Sequence, residues 1–146
     1  MSKLSVSDIA EKMGDIDYAM LSTQAGGGAI ASRPMSNNGE IEYDGDNYFF
    51  AFESARSVQH ITKDPHVGIT FVGSKGLLGK PPAFIAVEAT AELIRDKALF
   101  QEHWNAGIEA WAKDGIDTGG LVLIKARANR IHYWDGYEEE EVALRT

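Results

Sequence analysis

Cysteine is absent from this chain of 146 residues, proline occurs four times, and no apolar run approaches the length of a membrane span. The missing cysteines exclude disulfides, thiolate metal sites and cysteine nucleophiles together. Positive charge is scarce as well: 14 lysines and arginines face 22 acids, a formal net charge of −8. A general nucleic-acid binder needs a basic face to neutralise phosphates, so neither nucleic acid nor an anionic membrane is an expected partner. Any anion must be captured by a local group of cations acting against the overall field. The opening stretch MSKLSVSDIAEKMGDIDYAM carries acids and lacks the apolar core of a secretory signal, so a cytoplasmic location is expected.

Several chemical signatures are missing too. His60, His66, His103 and His132 are scattered rather than set at spacings such as H-x-x-x-H, and no metal is expected. There is no G-x-S-x-G elbow, P-loop or EF-hand loop, and the glycines of AGGGA do not match G-x-G-x-x-G. No residue declares itself as a catalytic acid, base or nucleophile.

What is present is the balance of a soluble globular protein, 44% hydrophobic and 25% charged, at a length that fits one domain over residues 1–146. Ser5 to Met13 reads as an amphipathic helix, with Ser5 as cap, Asp8 completing a capping box and Gly14 at its end. YAMLSTQAGGGAIASRPM reads as a hairpin with Ala25 to Gly28 at its tip, and Asn37, Asn38 and Gly39 begin the next turn. NYFFAF, HVGITFV and AFIAVEATAELI read as strands, and SARSVQHITKD as a helix closed before Pro65. The glycine- and proline-rich segment 73–82 reads as a loop whose role is open, a lid among the choices. Asp96 caps one or two helices holding Trp104 and Trp111, which share a face if the helix is continuous; packing is the ordinary reason for that spacing. LVLIKAR and RIHYWDG read as two closing strands, and the acidic tail from about 137 to 146 as a solvated face or frayed end. About six strands of similar length, joined mostly by hairpins, suit a small closed antiparallel barrel with helices packed outside.

Two arginines stand out. Arg33 precedes Pro34 at the end of an apolar run, and Arg56 lies in the first turn of a helix for which Ser54 is a candidate cap. A cation there works against the positive end of the helix dipole, so an anion between the two arginines explains it; surface pairing with some of the 22 acids is the alternative. If the Arg33 strand pairs with residues 48–52, both guanidinium groups can converge on one anion.

The order YAMLST, SRPM, NYFFAF, SARSVQHITKDPHVGITFV, FIAVEATAELIRDK, HWN, AW and LVLIKARANRIHYWDG, from Tyr18 to Gly136, resembles the general stress protein 26 group. That group belongs to the pyridoxamine 5′-phosphate oxidase-like, FMN-binding split-barrel superfamily. The resemblance implies a mainly β protein, a six-stranded antiparallel split β-barrel with outer helices, forming a homodimer with FMN in a groove at the subunit interface. Carried over, Arg33 and Arg56 match the phosphate arginines, and Pro34 and Met35 the backbone along the isoalloxazine. Phe50 and Ala51 match the strand beside the ribityl phosphate, and Trp134 an aromatic near the dimer-side ring pocket. The family usually has a lysine where Ser57 stands and often a threonine where Ala51 stands. A hydroxyl in place of that charge implies FMN binding weaker by about one to two kcal/mol.

The resemblance implies a flavin-dependent oxidoreductase acting on a small unidentified substrate, with NADH or NADPH as the electron donor. Two other readings stay open: a non-catalytic flavin store, and a dimeric scaffold with weakened flavin binding that takes another anion such as a deazaflavin. Pyridoxamine phosphate oxidase activity itself is not expected, because YWDGYEEEEVALRT shows no substrate-binding C-terminal segment and its acids repel a phosphorylated substrate.

Overall fold

The computed structural model describes residues 5–37, 43–74, 81–136 and 138–144. Its first helix forms as the capping spacing predicts. Ser5 Oγ accepts from Asp8 N at 3.2 Å and the Asp8 carboxylate accepts from Ser5 N at 2.9 Å, closing α1 (Val6–Gly14). Ile9, Ala10 and Met13 on one face of α1 are buried. β1 (Tyr18–Gly26) and β2 (Ala29–Ser36) form the expected hairpin, whose turn residues Gly27 and Gly28 have φ of 61° and 84°. Only glycine enters that region freely, so three in a row set the turn. Of the next expected turn, Asn38 and Gly39 lie outside the described residues, as do residues 75–80 of the loop at 73–82.

β3 (Asp46–Phe52), β4 (His66–Val72) and β5 (Phe84–Ile94) bury alternate residues, as their apolar runs require of strands packed on one face. Between β3 and β4 lies α2 (Arg56–Lys63), which buries Ser57, Val58 and Ile61. Its N-cap is Ala55, with no side-chain cap bond, and not Ser54. The tryptophan segment divides into α3 (Lys97–Glu102) and α4 (Ala106–Glu109), broken at residues 103–105, so Trp104 and Trp111 do not share a continuous helix. They pack instead edge-on against alternate phenylalanines of β3, Trp104 on Phe50 at 5.3 Å and Trp111 on Phe52 at 5.2 Å. Packing is what the pair does.

The C-terminal part departs most from expectation. The two closing strands are one, β6 (Leu121–Asp135), and the acidic tail forms a further strand, β7 (Glu138–Ala143), whose glutamates are the solvated face and not a frayed end. β6 pairs with β5 along one edge; its other edge pairs with β3 over Leu121–Arg127 and with β7 over Arg130–Asp135. The change of partner falls at a bulge: Glu88 faces Arg130 and Ala89 faces Ala128, leaving Asn129 extra. Its carbonyl accepts from Leu144 N at 2.9 Å and its amide donates to Thr90 Oγ1 at 3.0 Å. Val142 and Leu144 pack against the core, which is why a run of four glutamates still holds as a strand.

The result is one seven-stranded antiparallel sheet in the order β2-β1-β4-β5-β6-β3, with β7 beside β6. It curls round a core that includes Leu21, Ile69, Val87 and Ile131, with Ile9 and Met13 of α1 and Val58 and Ile61 of α2 packed on it. The sheet is not closed. Its end strands, β2 and β3, share no ladder, so the expected pairing of the Arg33 strand with residues 48–52 does not occur and the barrel is split along that seam.

Candidate functional site

Arg33 stands opposite Leu21 on the inward side of the β2 edge. Its Nη1 donates to the Leu21 carbonyl oxygen at 3.1 Å and to Thr23 Oγ1 at 2.8 Å. The Thr23 hydroxyl is in turn 2.8 Å from His60 Nδ1, and Thr23 is only 1% exposed. The Thr23 hydroxyl thus accepts from Arg33 and shares a second hydrogen bond with His60, whose direction follows the imidazole tautomer.

His60 sits one turn beyond Arg56 on α2, with Lys63 three residues further. Burial, and then the positive charges of Arg33, Arg56 and Lys63, hold its pKa below the ordinary histidine value. Burial, and then Arg56, depress the pKa of Arg33 as well. Arg56 is therefore near enough to Arg33 to act on its charge, although β2 and β3 share no ladder. Among the described residues none of Arg33, Arg56 and Lys63 has an ion-pair partner, whereas Arg95, Lys97, Lys125 and Arg130 each do. The first turn of α2 adds unpaired N–H groups and no acid.

β2 and β3 run antiparallel across the seam, so the part of β2 beyond Arg33 faces the start of β3. There a cleft of about 240 Å³ opens, lined by Pro34, Met35, Tyr48, Phe50, His103 and Trp111 among others. Tyr48 and His103 stack face to face with ring centroids 3.6 Å apart. Burial keeps the pKa of His103 below its usual range, and its Nδ1 is buried with no hydrogen-bond partner. Its walls mix aromatic and apolar residues with the polar Ser36, Asn105 and His103, and the cationic cluster stands toward α2.

Of the residues singled out by sequence, Pro34, Met35 and Phe50 meet in the cleft; Arg33 and Arg56 are outside its lining and near enough to each other for Arg56 to depress the pKa of Arg33. Ala51 and Ser57 are 9% and 5% exposed and belong to the buried side of β3 and α2. Trp134 is elsewhere: near the far end of β6, paired with Phe84 and stacked on His132 at 3.9 Å. Sequence reasoning missed Thr23, His60, Tyr48 and His103. For His60 a signal existed, since position 60 is four residues after Arg56 and shares its helix face. No group of three or more metal-ligating side chains occurs among the described residues, and no helix among them is long and apolar enough to cross a membrane.

Residues 5–144 match the family model described as pyridoxamine 5′-phosphate oxidase like. The chain belongs to this family. It is 23% identical over 137 residues to Protein bli-3 of Neurospora crassa, covering 88% of this chain and 63% of that protein, so it spans less than two thirds of the relative's length. A Clostridium acetobutylicum protein related to general stress protein 26 of the pyridoxinephosphate oxidase family has the same fold. The TM-score is 0.78 at 18% identity, with 95% of this chain and 94% of that one covered. General Stress Protein 26 from Bacillus anthracis superposes with a TM-score of 0.71 at 22% identity, over 93% and 98% of the two chains. The likeness to general stress protein 26 that the ordered motifs carry is thus met by family and fold together.

Proposed function

We propose that this chain binds flavin mononucleotide, with Arg33 and Arg56 on the phosphate and Pro34, Met35 and Phe50 along the ring system. The observation that supports the reading is a pair of neighbouring arginines without ion-pair partners among the described residues, beside a cleft lined by Pro34, Met35 and Phe50, in a protein of net charge −8. That donor set fits a phosphate monoester joined to a flat apolar ring. When bound, the flavin supplies hydride and electron-transfer chemistry, and the chain supplies seating and electrostatics. The activity proposed is reduction of a small substrate with electrons from NADH or NADPH.

A homodimer is part of this proposal. Tyr18, Met20, Val72 and Phe84 are 67%, 40%, 57% and 40% exposed. With Trp134 they occupy neighbouring strands on the outer side of the sheet, an apolar face suited to a second copy of the chain. Through that face Trp134 belongs to the assembled site and not to the cleft of its own protomer.

The test is an absorbance spectrum of purified protein after incubation with excess FMN and desalting. Retained flavin bands, lost in a variant lacking both arginines, support the reading. Consumption of NADH or NADPH by the loaded protein separates an enzyme from a flavin store. A protein that stays colourless overturns the proposal.

A further inference from the structure

We propose that the cleft between β2, β3 and the α3–α4 segment selects a neutral planar ring with an amide or imide edge, and that Asn105 is the residue that reads that edge. The inference deepens the flavin reading above and rests on it for the identity of the ring. It concerns the ring end of the ligand, to which that reading gives no polar contact.

Charge is the first constraint. The chain is 25% charged, yet no Asp, Glu, Lys or Arg among the described residues lines the cleft. Tyr48 and His103 are the lining side chains that titrate, and burial favours the neutral form of both. Lys125 stands 5.9 Å from the centre of the Tyr48 ring, but it is paired with Asp46 at 3.9 Å. A charged group entering here would give up its water and find no counterion, whereas a neutral ring loses little. Phe50 and Trp111 give the cleft aromatic walls, and its volume of about 240 Å³ leaves room for one small ring system.

Asn105 supplies the second constraint. It stands at the break between α3 and α4 in the extended conformation of an N-cap, with φ −140° and ψ 164°. Asparagine caps helices well because its side-chain oxygen accepts a backbone N–H of the first turn. Here it makes no cap bond, and its side chain has no hydrogen-bond partner among the described residues. Gly107 leaves room for the amide, since a Cβ at that position would stand 3.1 Å from Asn105 Oδ1. A half-buried amide without a partner gives up hydrogen bonding that folding ordinarily recovers. A primary amide offers a donor and an acceptor side by side, the complement of a lactam, imide or carboxamide. From β2, Ser36 adds a hydroxyl to the same cleft. Two rings of the proposed function carry such an edge: the pyrimidine side of the isoalloxazine and the carboxamide of a nicotinamide.

The experiment is titration of the full chain with riboflavin, FMN, nicotinamide and the charged isostere nicotinate, by calorimetry and ligand-observed NMR, with inorganic phosphate as the control. Wild type, Asn105→Leu and Gly107→Ala are compared, and each is melted. Nicotinate is expected to bind at least about tenfold more weakly than nicotinamide, because no lining group can pair with its charge. Asn105→Leu should bind the neutral ring about tenfold more weakly, from the loss of neutral hydrogen bonds, and should bind phosphate as wild type does. Its melting temperature should not fall, since the amide makes no bond in the free protein. Gly107→Ala leaves Asn105 in place but displaces its amide, so it should bind the neutral ring severalfold more weakly while gaining helix propensity.

Riboflavin that displaces nicotinamide assigns the edge to the flavin itself; the two bound together assign it to a second ring. Either result supports the proposal. Equal affinity of wild type and Asn105→Leu for the neutral ring overturns it, as does nicotinate binding as well as nicotinamide. A lower melting temperature with unchanged affinity also overturns it, because Asn105 would then be structural only. If FMN does not bind, the flavin reading fails by itself, and the nicotinamide and nicotinate pair still decides this one: failure of every neutral ring to bind overturns it.

Discussion

The split seam and the β6–β7 ladder treat positive charge in opposite ways. On the ladder His132 lies between Glu139 and Glu141, and Arg130 reaches Glu141 at 3.5 Å and Glu88 at 3.8 Å. At the seam, Arg33, Arg56 and Lys63 crowd His60 with no acid paired to them among the described residues. A chain with 22 acids had ample means to neutralise three cations. Like charges held together lower stability, and a cluster left in that state is the charge argument for the anion proposed above. The ladder holds strands together; the seam holds its charge in reserve.

The sharpest way to break this contrast is to remove the reserve. Arg33→Ala and Arg56→Ala are each expected to weaken FMN binding about ten- to a hundredfold, since a bond to a charged group contributes roughly 1.5–3 kcal/mol. Arg56→Ala should not melt earlier than wild type, because it relieves repulsion, whereas Arg33→Ala also gives up the bonds to Leu21 O and Thr23 Oγ1 and should melt earlier. Arg130→Ala on the ladder should leave FMN affinity unchanged. Fluorescence titration and thermal melts measure both halves, and equal losses from Arg130 and Arg33 would show the seam to be no different from the rest of the surface.

Much of this contrast was legible in the sequence because it is local. The cap at Ser5, the tri-glycine turn and the buried alternation of β3 follow from residues within a few positions of one another. Arg56 was conspicuous because it opposes its own helix dipole. The link from Arg33 through Thr23 to His60 was not legible, since it depends on the β1–β2 register and on where α2 packs, both non-local. The tail was legible as a solvated face but not as a strand, for a related reason. EEEE has no strand propensity of its own, and only the free edge of β6 past Asn129, with Val142 and Leu144 turning inward, makes it a strand. The break at residues 103–105 likewise answers to β3, where Phe50 and Phe52 receive the two tryptophans.

A smaller effect should follow from giving the seam the acid that it lacks. Gln59 borders the groove with His60 and Lys63, and its side chain donates to Ser54 O at 3.4 Å. Gln59→Glu sets a carboxylate four residues before Lys63, the favourable orientation on a helix, and should stabilise the fold by about 0.3–0.5 kcal/mol. The same charge competes with an incoming phosphate, so FMN affinity should fall severalfold. Opposite signs in melting temperature and affinity are the signature to look for; a gain in both would mean that the ligand does not use this cluster.

The smallest effect belongs to the ladder. Glu139 and Glu141 are 57% and 50% exposed where they meet His132, so solvent screens most of the attraction. Replacing both by glutamine should change stability by no more than about 0.5–1 kcal/mol, because exposed pairs contribute little and four adjacent acids also repel one another. The double variant should keep wild-type FMN affinity, and the difference in melting temperature should shrink in concentrated salt. A large loss would mean that β7 is held by its charges. A small one leaves Val142, Leu144 and the backbone ladder as what holds it, and makes the glutamates a solvated outer row that happens to neutralise β6.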